Sequence, residues 1–341
     1  MTAVLDTASE VLGYGRAINQ ALREEMQRDP RVWIMGQDVG RMGGVFGLTR
    51  GLLEEFGAAR VRDTTINETF IVGAAAGAAI SGTVPVVELQ FADFLLTAAD
   101  EVFHKLAKWR YVHGGQLRLP VVVRAPTGIL GGAGAEHSQS LEALCMHVPG
   151  LKVVLPSTPA DAKGLLKTAI RDPNPVIFFE HKGLYRRKGP VPRSPDYMVP
   201  FGQAAICRHG DDLTVIATSM MVERALAAAE NLAGEGVSVE VIDPRTLVPL
   251  DMATILDSVL RTHRALIVHE AVRTGGAGAE IAARIMEEAF YALEAPVWRL
   301  GAVDAPIPQN PELEELCVPQ VEGIADAIRA LVRCEQPGDG N

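Results

Sequence analysis

Cysteine is scarce and scattered in this chain of 341 residues. Cys145, Cys207, Cys317 and Cys334 form no paired or metal-like spacing, which fits a reducing compartment and gives no sign of a disulfide framework or a zinc site. Positive charge is in short supply as well: 32 Lys and Arg against 42 Asp and Glu leave a formal net charge of −10. That balance argues against a nucleic-acid binder, which gathers basic residues on one face, and suits a soluble assembly. Long apolar runs are missing; those present are short and rich in Gly and Ala, so no membrane-spanning helix is expected. Met1 to Glu10 lacks a basic stretch followed by an apolar core, so no secretory signal is expected and the chain reads as cytoplasmic.

The familiar nucleotide and hydrolase motifs are also lacking. Gly43 to Gly51 is a glycine-punctuated loop around Val45 and Phe46, without the Lys-Ser or Lys-Thr ending of a nucleotide loop or the paired glycines of a dinucleotide site. It reads as a structural or interface loop. Ser138 and Ser140 lack the strained elbow of a hydrolase nucleophile. Gly275, Gly276 and Gly278 precede a helix near Ala279, and a glycine-relieved helix start is preferred there over an anion site.

What is present is alternation of strand and helix over a length sufficient for two domains. A helix is expected from Gly15 to Arg28, where Ile18, Leu22 and Met26 recur four residues apart, followed by a buried strand at Val32 to Met35. Strands are expected at Val84 to Leu89, Leu119 to Arg124, Val153 to Leu155 and Val176 to Glu180, with helices at Ile71 to Gly82, Asp100 to Tyr111 and Pro159 to Ile170. Composition shifts at Arg186-Arg187-Lys188-Gly189-Pro190, and prolines follow at 192, 195 and 200. The expected division is a first domain over 12–186, a linker over 187–204 and a second domain over 205–333. In the second domain Leu213 to Thr218, Val237 to Ile242 and Ala265 to Val268 are strands, and Ser219 is placed to cap the following helix. The fold class is α/β: two tandem three-layer domains, each with a mainly parallel sheet.

Four places carry candidate chemistry. Glu68, between a strand ending near Asp63 and the small-residue run Ile71 to Gly82, fits either an acid charging the first turn of a helix or a partly desolvated carboxylate that shares a proton with a ring nitrogen. Phe94, just beyond a strand, is a core aromatic or a flat face for a ring. His137 follows the glycine-rich loop Gly128 to Gly134; it is a surface or capping residue, or it reaches into a cleft and exchanges protons near neutral pH. Arg171-Asp172-Pro173-Asn174-Pro175 is a rigid turn that equally well holds its own backbone or a monovalent ion.

These segments, with Asp38-Val39-Gly40, Glu88-Leu89-Gln90-Phe91-Ala92-Asp93-Phe94, His137-Ser138-Gln139-Ser140, Pro149-Gly150-Leu151-Lys152-Val153-Val154, Asp161 to Leu166 and His269-Glu270, make the chain from about Tyr14 to Leu331 resemble a known family. It is the beta subunit of the thiamine-diphosphate-dependent decarboxylating component of 2-oxo acid dehydrogenase complexes, the pyruvate, branched-chain and acetoin group. The resemblance implies a pyrimidine-binding domain followed by a transketolase C-terminal-like domain. It implies that Glu68 contacts N1′ of the cofactor's aminopyrimidine, that Phe94, Gln90 and Ile66 line that pocket, and that His137 belongs to the active centre. It further implies a structural potassium ion at Leu119, Val121, Ala169, Asp172 and Asn174. Gln37 stands where the family usually has a glutamate. The tail Gly338-Asp339-Gly340-Asn341 imitates the start of the cofactor's metal-binding motif, but no helix follows it. Magnesium and the diphosphate are therefore expected on an alpha subunit in an alpha2-beta2 heterotetramer, with acyl transfer to a lipoyl-bearing acyltransferase core. Acetoin cleavage, or a non-catalytic subunit that keeps the fold, are the alternatives.

Overall fold

A computed structural model describes residues 9–333; Cys334 and the tail from Gly338 to Asn341 lie outside the described residues. The elements are β1 (Ser9–Gly13), α1 (Tyr14–Arg28), β2 (Val32–Gln37), α2 (Leu52–Phe56), β3 (Val61–Thr64), α3 (Glu68–Ile80), β4 (Val84–Glu88), α4 (Ala107–Val112), β5 (Val122–Thr127), α5 (Glu142–His147), β6 (Lys152–Val154), α6 (Pro159–Arg171), β7 (Val176–His181) and β8 (Lys188–Pro192). They continue with β9 (Ala205–Arg208), β10 (Leu213–Ala217), α7 (Met220–Ala233), β11 (Val239–Asp243), β12 (Thr246–Val248), α8 (Met252–Thr262), β13 (Ala265–Val272), α9 (Ala277–Ala289), β14 (Trp298–Ala302), α10 (Pro311–Leu316) and α11 (Val321–Val332). No helix among the described residues is long and apolar enough to cross a membrane.

Among the described residues, the first compact unit comprises residues 9–127 and His147–Phe201. Its parallel strands lie in the order β6-β7-β5-β4-β2-β3. The central strands β2, β4, β5 and β7 are almost wholly buried, as expected of a parallel sheet covered on both faces, whereas the edge strand β3 is polar and partly exposed. The four-residue spacing of Ile18, Leu22 and Met26 does place all three in the core, and α1 packs against α6. That contact includes ion pairs: Lys163 and Lys167 of α6 are fully buried and reach Glu24 at 2.9 and 2.6 Å. Asn67 caps α3 by accepting from Phe70 N at 2.8 Å, and α3 packs on β4.

Local departures from expectation have local causes. Leu119 to Val121 stays outside the β5 ladder because Leu119 N donates to Pro173 O at 3.0 Å and Pro120 has no N–H to contribute. The expected helix Asp100 to Tyr111 is a π-turn over Glu101–Leu106 running into α4. Within the small-residue run, Gly73 meets a close neighbour, Glu101 Cγ, 3.3 Å from where a Cβ would stand, whereas Gly77 faces open space.

The second unit comprises, among the described residues, Gly128–Met146 and residues 202–333. Gly128–Met146, read from sequence as part of the first domain, packs with this unit. Its sheet has the order β14-β13-β10-β11-β9; β9 runs antiparallel and the other pairs are parallel. Helices α7 and α11 pack together, as do α8 and α9, which gives the two outer layers. Ser219 occupies the residue before α7, but it has φ +52° and makes no capping bond with its side chain, so the expected cap is not formed. Asp251 does cap α8, accepting from Thr254 N at 3.1 Å.

Candidate active site

In open parallel sheets, ligands bind beyond the carboxyl ends of the strands. Two such ends in the first unit carry the sequence candidates. Glu68 is the first residue of α3, soon after β3 ends. It is 8% exposed and has no hydrogen-bond or ion-pair partner among the described residues. A carboxylate this little exposed is normally paired or hydrogen-bonded, so the missing partner sets Glu68 apart. Thr69 Oγ1 donates to Thr97 O at 3.0 Å, tying the first turn of α3 to the segment that follows β4. Phe94 lies there, half-buried, in edge-on contact with Phe91 at 5.9 Å. Phe91 in turn meets Phe46 at 5.9 Å, so the Gly43 to Gly51 loop is seated on this aromatic group. Gln90 is half-buried, and Ile66 is 73% exposed. Gln37 ends β2 opposite Thr64.

Beneath the strand ends lies a charge network that sequence reading did not assemble. Arg124 of β5 is fully buried. Its Nε and Nη2 donate to Glu180 at 2.6 and 2.9 Å, and its Nη1 donates to Glu88 Oε2 at 2.5 Å. Tyr185 donates its hydroxyl to Glu180 at 3.0 Å. Two carboxylates share one guanidinium, and burial raises Glu88 above the ordinary carboxylate range against the opposing pull of Arg124. Gly44 abuts Glu88; a Cβ there would stand 2.5 Å from Oε1. The available signal was a charged residue within each of three otherwise largely apolar strands, Val84–Glu88, Val122–Thr127 and Val176–His181.

The turn proposed for potassium is compact. Asp172 Oδ1 accepts from Asn174 N and Nδ2, both at 2.9 Å. The other side-chain oxygens are already engaged: Asp172 Oδ2 by Lys152 and Asn174 Oδ1 by Arg110. The carbonyls of Leu119, Val121 and Ala169 each accept one hydrogen bond, at 2.8, 2.9 and 3.3 Å, and a carbonyl oxygen retains a second lone pair. Each of the three main-chain oxygens thus keeps one acceptor site open. The two side-chain oxygens instead face resident cations, Lys152 and Arg110.

His137 belongs to the second unit. It is half-buried in a turn, with its N–H donating to Gly134 O at 3.2 Å. The loop borders a hollow of about 820 Å³ whose walls include Ile129, Leu141, Glu270, Ile307 and Val318. Nearby in sequence, Glu142 is buried, and burial, reinforced by Glu270, pushes its carboxyl up to about 7. His269 is buried too; desolvation drives it down to about 4. Its Nδ1 donates to Ala271 O at 3.0 Å while Nε2 has no hydrogen-bond partner among the described residues.

Comparison with known proteins accounts for both units. The family described as transketolase, pyrimidine binding domain, matches residues 11–188, and the transketolase C-terminal domain matches residues 202–324. Among relatives, the 2-oxoisovalerate dehydrogenase beta subunit of Bacillus subtilis is 46% identical over 94% of this chain and 98% of its own. The acetoin:2,6-dichlorophenolindophenol oxidoreductase beta subunit of Cupriavidus necator is 45% identical over 93% and 96%. The pyruvate dehydrogenase E1 beta subunit of Rhizobium meliloti is 42% identical over 92% and 68%. A split-gene transketolase, described as an inactive beta4 tetramer, shares the fold with a TM-score of 0.78 at 24% identity, covering 95% of this chain and 99% of that one. The matched domains and the extent of these likenesses place the chain in the family of beta subunits of thiamine-diphosphate-dependent 2-oxo acid dehydrogenases, enzymes of decarboxylation and acyl transfer.

Proposed function

We propose that this chain supplies the pyrimidine side of a thiamine-diphosphate active centre, with Glu68 as the group that engages N1′ of the aminopyrimidine. The observation that carries the reading is the carboxylate itself, 8% exposed at a helix start and without a partner in its own chain among the described residues. When bound, thiamine diphosphate supplies the electron sink for decarboxylation. Glu68 holds the proton shared with the ring nitrogen, Phe94 offers a ring face, and Gln90 and Ile66 complete the lining. His137 places a proton where the acyl group passes to a lipoyl arm.

Magnesium and the diphosphate are assigned to an alpha subunit in an alpha2-beta2 heterotetramer that serves a lipoyl-bearing acyltransferase core. Exposed apolar side chains on the elements flanking Glu68, Ile66, Phe70 and Leu96, support cover by another chain, since such groups gain by leaving water. Potassium is proposed at Leu119, Val121, Ala169, Asp172 and Asn174, with Lys152 and Arg110 released on binding. A 2-oxo acid is the preferred substrate and acetoin the alternative; identities of 46%, 42% and 45% to the three kinds of relative do not separate them. Assay of the assembled pair against pyruvate, branched-chain 2-oxo acids and acetoin makes that choice.

Glu68→Gln tests the central assignment. Glutamine fills the same space but cannot hold the shared proton, so the tetramer should assemble while turnover falls about 100-fold, or about 2.7 kcal/mol. Exchange of the thiazolium C2 proton should slow with it. Exchange at the wild-type rate in the variant would remove Glu68 from the activating role.

A further inference from the structure

The loop that carries His137 is fastened from far along the chain. Glu314, on α10, is 1% exposed, and both its carboxylate oxygens point into that loop. Oε2 accepts from Gly132 N at 2.6 Å and Oε1 from Ser138 Oγ at 3.1 Å. These donors bracket His137, one five residues before it and one immediately after. Glu314 is itself held rigidly. Asn310 caps α10, accepting from Glu312 N and Leu313 N at 2.9 and 3.0 Å, and Glu314 N donates to Asn310 O at 2.8 Å. The loop backbone is seated against the residues leading into α10. Gly132 has φ +84°, and a Cβ there would fall 2.1 Å from Gln309 O; at Gly134, φ +82°, it would fall 2.6 Å from Gln309 Cγ. A second buried carboxylate, Glu270, anchors the start of the loop by accepting from Ile129 N at 2.7 Å.

We infer that Glu314 is a positioning residue for His137, its two hydrogen bonds to Gly132 and Ser138 fixing where the imidazole is presented. Hydrogen bonds to an ionised acceptor are about twice as strong as neutral ones, and catalytic groups need supports of this kind because small misplacements are costly. The inference rests on the proposed role of His137 in acyl transfer.

The test uses the enzyme reassembled with its alpha subunit and measures acyl transfer to a lipoyl domain in Glu314→Ala, His137→Ala and the double variant, well below the temperature at which each unfolds. Glu314→Ala should slow transfer about tenfold, with little change in KM for the 2-oxo acid, and should add nothing in the His137→Ala background. Glu314→Gln, whose amide oxygen can accept from Gly132 while its nitrogen donates to Ser138 Oγ, should restore most of the loss. If Glu314→Ala does not assemble, Ser138→Ala takes its place, with a transfer defect again expected to vanish when His137 is absent. Wild-type transfer in Glu314→Ala, or losses that multiply in the double variant, would overturn the inference while leaving His137 in place. Wild-type transfer in His137→Ala alone would instead bring down the reading of His137, and this inference with it.

Discussion

Glu142 shows what a single buried acid does to the energetics of this fold. Its carboxyl is raised from an ordinary 4.5 to about 7, chiefly by burial. A carboxyl raised in the folded state binds protons more tightly there than in the unfolded chain. Its stabilising contribution is therefore complete below pH 4.5 and is lost as pH climbs through about 7. Between pH 5 and pH 8 the wild type should lose roughly 2 to 3 kcal/mol relative to Glu142→Gln, which stays neutral throughout. Chemical denaturation at the two pH values measures this, and an unchanging difference between the two proteins would contradict it. Nothing in the sequence marked Glu142: it is a single acid at the start of the short helix α5, and it is buried where Gly128–Met146 folds with its unit. Glu68 and His137 were singled out by the family resemblance of the segments around them, because the junction at which each stands fits a structural role as readily as a chemical one. Phe46, Phe91 and Arg124 were missed because their partners lie in distant segments: 45 residues separate Phe46 from Phe91, and 56 separate Arg124 from Glu180.

At the scale of elements, glycine placement separates packing from mere tolerance. Gly276, Gly278 and Gly301 surround the His269 ring; a Cβ would stand 2.7, 2.7 and 3.0 Å from its nearest ring atoms. The preferred reading of the glycine run as a relieved helix start therefore acquires a cause, since α9 begins where a buried imidazole needs space. Gly278→Ala should destabilise the protein by about 1 to 3 kcal/mol, because overpacking outweighs the smaller gain from replacing glycine in a helix. Gly323→Ala in α11, where the added methyl meets nothing within 4 Å, should instead stabilise by about 0.5 to 1 kcal/mol. Thermal melts of the two variants should move in opposite directions, and a shared sign would refute the packing argument. Strand and helix order was largely readable because strands buried in a parallel sheet read as short, nearly continuous apolar runs between helices. The edges were not, since Leu119 to Val121 leaves the ladder for a contact with Pro173. If that contact also frames a potassium site, replacing sodium by potassium should raise the melting temperature of the assembled enzyme, since a ion bound to the native state stabilises it by mass action. Superimposable melts across a wide range of potassium would leave Lys152 and Arg110 as the turn's only cations.

For the whole molecule, membership of a beta-subunit family sets an expectation for the chain in isolation. Thiamine diphosphate and magnesium, titrated calorimetrically into this chain alone, should bind weakly and support no turnover. A Kd near 1 μM, about −8 kcal/mol, would show that one chain suffices. The two-domain plan was legible from the proline-rich shift after Arg186, but the excursion of Gly128–Met146 was not, because it depends on tethers to Glu270 and Glu314 far downstream. That excursion constrains how the family's genes can be recombined. A crossover in the proline-rich linker looks neutral on paper, yet it would inherit the histidine loop from one parent and the glutamate that seats it from the other. Chimeras that keep both segments from the same parent should outperform those that split them, however well the linker itself is matched.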